Sequence, residues 1–84
     1  MGIRVTRFTL HGAMIVVLRE IDGHTAEQVW LATEINRRKL YTKRDGSLVK
    51  SNQIGARAKN YPKYFRKIPA DPSAGSLAKI ELIG

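Results

Sequence analysis

Cysteine is absent from this 84-residue chain. A disulfide framework, a cysteine metal cluster and a thiol nucleophile are therefore excluded, and the chain suits a reducing compartment. We expect a cytoplasmic protein. A chain of this length forms one domain, whose core is too small for a deep catalytic cavity between two subdomains.

Long apolar runs are also missing. No stretch of about 18 apolar residues is present, which excludes a membrane-spanning helix, and the first residues lack the charged-then-apolar layout of a signal peptide. We therefore expect no membrane partner.

Acidic residues are scarce: seven Asp and Glu stand against fifteen Lys and Arg, for a formal net charge of +8. Residues 36–67 hold eleven of the cations and a single anion, Asp45, which gives this segment a net charge of +10. The remainder of the chain is slightly acidic. Such a concentrated basic segment favours a polyanionic partner.

Patterns that carry catalysis or bind metals are missing as well. His11 and His24 are too far apart for i, i+4 metal ligation and have no acidic cluster beside them. No paired carboxylates, nucleophile with a base, or phosphate loop can be recognised. We expect no enzyme activity, no metal and no cofactor, and both histidines at the surface or at helix ends.

Helical periodicity predicts a first helix, with Thr9 as its N-cap and Asp22-Gly23 at its end. The apolar positions that define it are Leu10, Met14, Val17, Leu18 and Ile21. The run 14–18 is rich in β-branched residues, so a buried strand is the alternative there. Residues 1–8 are predicted to form an arm or short strand, and residues 9–84 the folded domain.

The second helix is predicted to start at a capping box, in which Thr25 caps the helix and Gln28 reaches back to the N–H of Thr25. Trp30 is expected to be a core or edge anchor beside the packing residues Val29, Leu31, Ala32, Ile35 and Leu40. The helix should close in 37–39, where three cations suit its negative end. A β-favouring piece at 40–42 and a tight turn at 43–47 follow.

The third predicted helix lies between Ser51, its expected N-cap, and Pro62, which cannot continue it. One face should pack through Ile54, Ala58 and Tyr61. A neighbouring face carries Gln53, Arg57 and Asn60, and a third carries Asn52, Ala56 and Lys59. Because Asn, Gln and Arg can pair with purine edges in the major groove, we interpret this as a nucleic-acid recognition helix. An ordinary solvated helix is the alternative.

Two β-like runs, 63–68 and 77–83, are joined by a Pro-, Gly- and Ser-rich loop of about eight residues and predict a hairpin with Phe65 and Ile68 buried. Three helices followed by a hairpin form an α+β layout. This order is typical of a winged helix-turn-helix, in which the third helix enters the major groove and the hairpin is the wing.

The chain also resembles a known family in three segments: 25–30 (TAEQVW), 38–47 (RKLYTKRDGS) and 52–65 (NQIGARAKNYPKYF). These are similar to the HARE-HTH domains, winged helices found in restriction endonucleases, in the delta subunit of bacterial RNA polymerase and in chromatin-associated proteins. The resemblance covers about residues 10–83. It implies that Ile35, Leu40, Ile54, Tyr61 and Phe65 are core residues and that the polar residues of the third helix face DNA.

Gly55 departs from a good helix sequence, because Gly costs about 1 kcal/mol relative to Ala in a helix interior. We expect it to permit close helix packing or close approach of a backbone.

The leading hypothesis is a small protein that binds double-stranded DNA in transcription regulation or restriction. Its predicted contact residues are Lys43, Arg44, Lys50, Ser51, Asn52, Gln53, Arg57, Lys59, Asn60, Lys63 and Arg66. The alternatives are a protein-interaction module whose basic face meets an acidic partner, and an RNA-binding factor; a homodimer is compatible with the DNA hypothesis.

Overall fold

A computed structural model describes residues 9–41, 43 and 45–84 of the chain. These residues form three α-helices and a three-stranded antiparallel sheet, so the predicted α+β class is confirmed. The helices are α1 (Leu10–Arg19), α2 (Gln28–Arg38) and α3 (Ser51–Asn60), and the strands are β1 (Thr25–Glu27), β2 (Phe65–Ile68) and β3 (Lys79–Leu82). The predicted arm at 1–8 lies outside the described residues.

Helix α1 forms as the periodicity predicts. The Oγ1 of Thr9 accepts a hydrogen bond from the N–H of Gly12 at 3.1 Å, which confirms Thr9 as the N-cap. The buried residues follow the helical period and are Leu10, Ala13, Met14, Val17 and Leu18. The strand alternative for 14–18 is therefore wrong. Past the helix end, the Nδ1 of His24 donates to the carbonyl of Leu18 at 3.0 Å, as expected for a histidine at a helix terminus.

The capping box predicted at Thr25 is wrong, because residues 25–27 form strand β1. This strand pairs with β3 from Thr25 opposite Glu81 to Glu27 opposite Lys79. Helix α2 begins only at Gln28, whose N–H donates to the carbonyl of Ala78 at 2.9 Å. Pairing with a strand far along the chain has overridden the local capping signal.

Helix α2 buries Leu31, Ala32 and Ile35 as expected. The predicted packing role of Val29 is wrong, because its side chain is 52% exposed. Val29 lies two residues before Leu31, about 200° around the helix, and so points away from the core. Trp30 is 41% exposed and is an edge residue rather than a core residue.

The C-terminal hairpin is present, with β2 and β3 antiparallel from Phe65 opposite Leu82 to Ile68 opposite Lys79. Its connection, residues 69–78, is two residues longer than expected and includes a 3-10 turn at Pro72–Ala74. Gly75 closes that turn at a φ of 72°, a conformation that glycine adopts without strain. Strand β3 lies between β1 and β2 in the sheet. The hairpin is therefore joined to the rest of the domain through β1 and does not stand free as a two-stranded wing.

One core joins the helices to the sheet. Its fully buried large side chains are Met14, Val17, Leu18, Leu31, Ile35, Ile54 and Ile80. Of the core residues that the family resemblance implies, Ile35, Ile54 and Phe65 are buried, while Leu40 and Tyr61 are half-buried against this cluster. Within the described residues, no helix is long and apolar enough to cross a bilayer.

Candidate nucleic-acid interface

Helix α3 starts differently from the prediction. Ser51 is the first helical residue and not the N-cap; that position belongs to Lys50. The Oε1 of Gln53 accepts a hydrogen bond from the N–H of Lys50 at 2.8 Å. A glutamine at the third helical position can reach back in this way, so Gln53 satisfies the N–H of the cap residue, whereas Ser51 was expected to accept an N–H of the first turn.

The start of α2 packs directly on α3. The Nε2 of Gln28 donates to the carbonyl of Ser51 at 3.2 Å. A Cβ on Gly55 would lie only 3.0 to 3.2 Å from the amide atoms of the same Gln28 side chain. Gly55 therefore permits the close helix packing that its position predicts, and the Gln28 amide fills the space that a larger residue would occupy.

A second connection fixes the segment that leads into α3. Asn36, on α2, donates from Nδ2 to the carbonyl of Val49 at 2.9 Å and accepts the N–H of Val49 through Oδ1 at 2.9 Å. The Asn36 amide thus pairs with the backbone as a neighbouring strand would. Val49 is 4% exposed, so this pair is anchored at the edge of the core.

The surface of α3 that faces away from the core is polar. Its inner face consists of Ile54, Gly55 and Ala58, all buried. Four residues are exposed on the outside: Asn52, Ala56, Lys59 and Asn60. Two other predicted contact residues of α3, Gln53 and Arg57, are half-buried at one side of this outer face.

Some cations of the basic segment are paired with carboxylates, and others are not. Three are paired with carboxylates: Arg37 with Glu34 and Arg38 with Glu20 on or beside α2, and Arg66 with Glu81 across the β2–β3 pair. Among the described residues, no carboxylate forms an ion pair with the cations before, on and after α3, namely Lys50, Arg57, Lys59 and Lys63. Lys39, Lys43 and Lys67 also form none of these ion pairs, so unpaired cations lie around α3, at the end of α2, in the connector and on β2.

Pairing with an arginine lowers the pKa of two of the paired carboxyl groups. The hydrogen bond from Arg38 lowers the pKa of the Glu20 carboxyl, and the hydrogen bond from Arg37 lowers that of Glu34. Both shifts favour the ionised carboxylates, so these two arginines are already engaged within the protein.

Five predicted contact residues remain, and the structure describes four of them. Lys43 is half-buried in the connector, and Arg44 is outside the described residues. Ser51 is half-buried at the start of α3, and Lys63 is exposed just after its end. Arg66 is exposed on β2, where it holds Glu81. The structure thus brings the amides and unpaired cations of α3 together and places Arg66 in the hairpin.

Several positioning residues were missed by the sequence analysis. Gln28 was assigned to a capping box with Thr25 and Asn36 was given no role, and nothing local identifies their partners in α3 and its connector. The ring of His11 stacks on that of Tyr61 with centroids 4.0 Å apart, so α1 supports the end of α3. Tyr61 is at a packing position by periodicity, but its partner could not be read from the sequence.

Elsewhere, an open and mostly apolar groove lies beside Trp30 and is also lined by Ile21, Thr25, Ala26 and Glu27. In the described part of the chain, no three histidine or acidic side chains come together in a way that could hold a metal ion.

No protein-family profile matches the chain, and neither a curated protein nor a solved structure is significantly similar to it.

Proposed function

We propose that the chain is a winged-helix domain that binds double-stranded DNA, with α3 in the major groove and the β2–β3 hairpin as the wing. One observation carries the proposal. The outer face of α3 consists of Asn52, Ala56, Lys59 and Asn60, and the cations at this helix have no carboxylate partner among the described residues. An exposed helix with amides and free cations has the chemistry of a major-groove reader.

The architecture is compatible with this role. Helix α2 braces α3 through Gln28 and Asn36, and the third helix is followed at once by a hairpin, as in the winged-helix arrangement. Lys67, which forms no ion pair with a carboxylate among the described residues, is exposed on β2, where a wing would approach the DNA backbone. The resemblance to HARE-HTH domains points the same way and stays a prediction.

Phosphate contacts would supply most of the affinity. Lys50, Lys59 and Lys63 are exposed, lie at or near α3 and have no ion-pair partner in the described part of the chain. If about six phosphates are neutralised in all, the logarithm of the binding constant should fall with the logarithm of salt concentration at a slope of about −5.

The test is fluorescence anisotropy with a labelled random-sequence duplex, titrated at several salt concentrations. The Lys59→Ala/Lys63→Ala variant removes two exposed, unpaired cations. The matched control, Arg37→Ala/Arg38→Ala, removes the same charge from ion-paired positions on α2. We expect the first variant to make the salt slope shallower by about 2 and the control to leave it nearly unchanged. Melting curves check that both variants are folded.

Two results would overturn the proposal. Equal losses in the two variants would mean that DNA responds to net charge and not to α3. Failure of the wild-type protein to bind any duplex at low salt would remove DNA as the partner, and an acidic protein would become the leading account of the basic segment.

A further inference from the structure

We propose that α3 reads A·T base pairs, through a stripe of three residues: Asn52, Ala56 and Asn60. The inference rests on the proposed function, because it presumes that α3 enters the major groove. It adds a sequence preference and the groups that would produce it.

The geometry of α3 selects these three residues. They are four positions apart, so each is only about 40° around the helix from the previous one, and together they form one line along about two turns. All three are exposed, whereas the opposite face of the helix is buried through Ile54 and Ala58. A surface that approaches α3 from outside therefore meets this line first.

The chemistry of the stripe matches adenine and thymine. An asparagine amide can accept from the adenine N6 amino group and donate to N7, which is the paired contact that distinguishes adenine in the major groove. The methyl group of an alanine makes the apolar contact that fits the 5-methyl group of thymine. Ala56 is also the smallest side chain of the stripe, so it lets the helix come close enough for both asparagines to reach base edges.

The other two α3 side chains that can pair with purine edges, Arg57 with guanine and Gln53 with adenine, are placed less centrally. Arg57 is half-buried beside the stripe, and Gln53, also half-buried, has its Oε1 engaged by the N–H of Lys50. This bond uses one of the two lone pairs of Oε1 and holds the Gln53 amide against the start of its own helix. Lys59 is exposed at the other side of the stripe, where an ammonium group suits a phosphate.

The first experiment changes only the DNA. Binding of the wild-type protein is measured at one salt concentration to four alternating duplexes: A·T, G·C, A·U, which lacks the thymine methyl group, and 7-deaza-A·T, which lacks the adenine N7. We expect at least about tenfold weaker binding to G·C than to A·T. The loss should be about fivefold or more for 7-deaza-A·T and about fourfold for A·U, the effect of one buried methyl-sized group.

The second experiment changes the protein. Asn52→Ala/Asn60→Ala should abolish the difference between A·T and 7-deaza-A·T, while Ala56→Gly should abolish the difference between A·T and A·U. Arg37→Ala, at an ion-paired position on α2, is the matched control and should retain both differences. Because glycine weakens a helix, Ala56→Gly is compared at a temperature where melting shows it to be folded.

The outcomes separate the two proposals. No binding to any of the four duplexes would defeat the DNA-binding function itself. Equal binding to all four would retain that function and overturn the A·T inference. A preference for A·T over G·C that survives both base modifications would also overturn it, because the thymine methyl group and adenine N7 lie in the major groove and their irrelevance would assign the reading to the minor groove.

Discussion

Helices α2 and α3 have similar lengths and similar basic character, yet the structure uses them in opposite ways. Each buries one apolar face. On α2, the cations Arg37 and Arg38 are held by carboxylates, and Gln28 and Asn36 hydrogen-bond to other parts of the protein. On α3, the exposed polar residues have no such ion pairs in the described part of the chain. One helix is a brace, and the other presents its polar groups to the outside.

This difference shows that counting charges along a chain does not locate a binding surface. The run 37–39 is the densest cluster of cations in the sequence, but one of its arginines pairs with Glu20, eighteen residues away. Lys59 has fewer basic neighbours in sequence and remains unpaired among the described residues. Whether a cation remains unpaired depends on which carboxylates the fold brings close to it.

The largest expected difference between the two helices is in how much stability is lost when an asparagine is replaced by alanine. Asn36→Ala removes both hydrogen bonds to Val49 and leaves a partly buried N–H and carbonyl without partners, so we expect it to lower the free energy of unfolding by about 2 kcal/mol. Asn60→Ala, on the exposed face of α3, should change it by less than about 0.5 kcal/mol. Urea denaturation measures both. Similar losses in the two variants would contradict the division into brace and contact surface.

The contact between the two helices can be tested at Gly55. Alanine there should gain about 1 kcal/mol of helix propensity, but its Cβ would displace the Gln28 amide and weaken the bond to Ser51. In the wild-type background we therefore expect Gly55→Ala to be nearly neutral. In a Gln28→Ala background it should stabilise the protein by about 1 kcal/mol, as measured in a double-mutant cycle by thermal or urea unfolding. Additive effects would mean that the close approach does not matter.

The smallest expected effect is the loss of stability at low pH when the ion pairs of α2 are protonated. The lowered pKa values of Glu20 and Glu34 mean that their ion pairs contribute stability at pH values above the ordinary carboxyl value of 4.5, and that this contribution is lost as the pH falls through the lowered values. Glu34→Gln should therefore slightly reduce the destabilisation that develops as the pH falls below 4.5. The control is Asp22→Asn, at an exposed carboxylate outside α2. If Glu34→Gln does not change how stability depends on pH, the ion pair between Glu34 and Arg37 does not contribute to stability as expected.

The sequence predicts the elements whose signals are local. The helical period and the Thr9 cap predict α1, the breaker Pro62 limits α3, and two β-favouring runs predict the hairpin. Strand β1 was missed, because three residues with a good capping pattern carry no strand signal until β3 is beside them. The start of α3 was predicted one residue too late for a similar reason. Ser51 and Gln53 are both residues that can hydrogen-bond at a helix start, and the structure shows that Gln53 does so.

The candidate site was predicted in part. Periodicity correctly separates the buried face of α3 from its polar faces. It does not show that Gln53 and Arg57 are half-buried while Asn52 and Ala56 are fully outside, because that choice depends on how α2 and α1 pack on the helix. The engagement of Arg66 by Glu81 depends in the same way on strand register.

The two hydrogen bonds between Asn36 and Val49 determine where the chain can accept inserted residues. It fixes the backbone one residue before the cap of α3, so the start of that helix is set by α2 and not by the path of the connector. An extra residue inserted between Asp45 and Ser47 would be absorbed upstream of the pair, and loop closure alone makes such an insertion inexpensive, since even a doubling of loop length costs only about 0.6 kcal/mol. The connector is thus a part of the molecule where an insertion can be accommodated without turning α3.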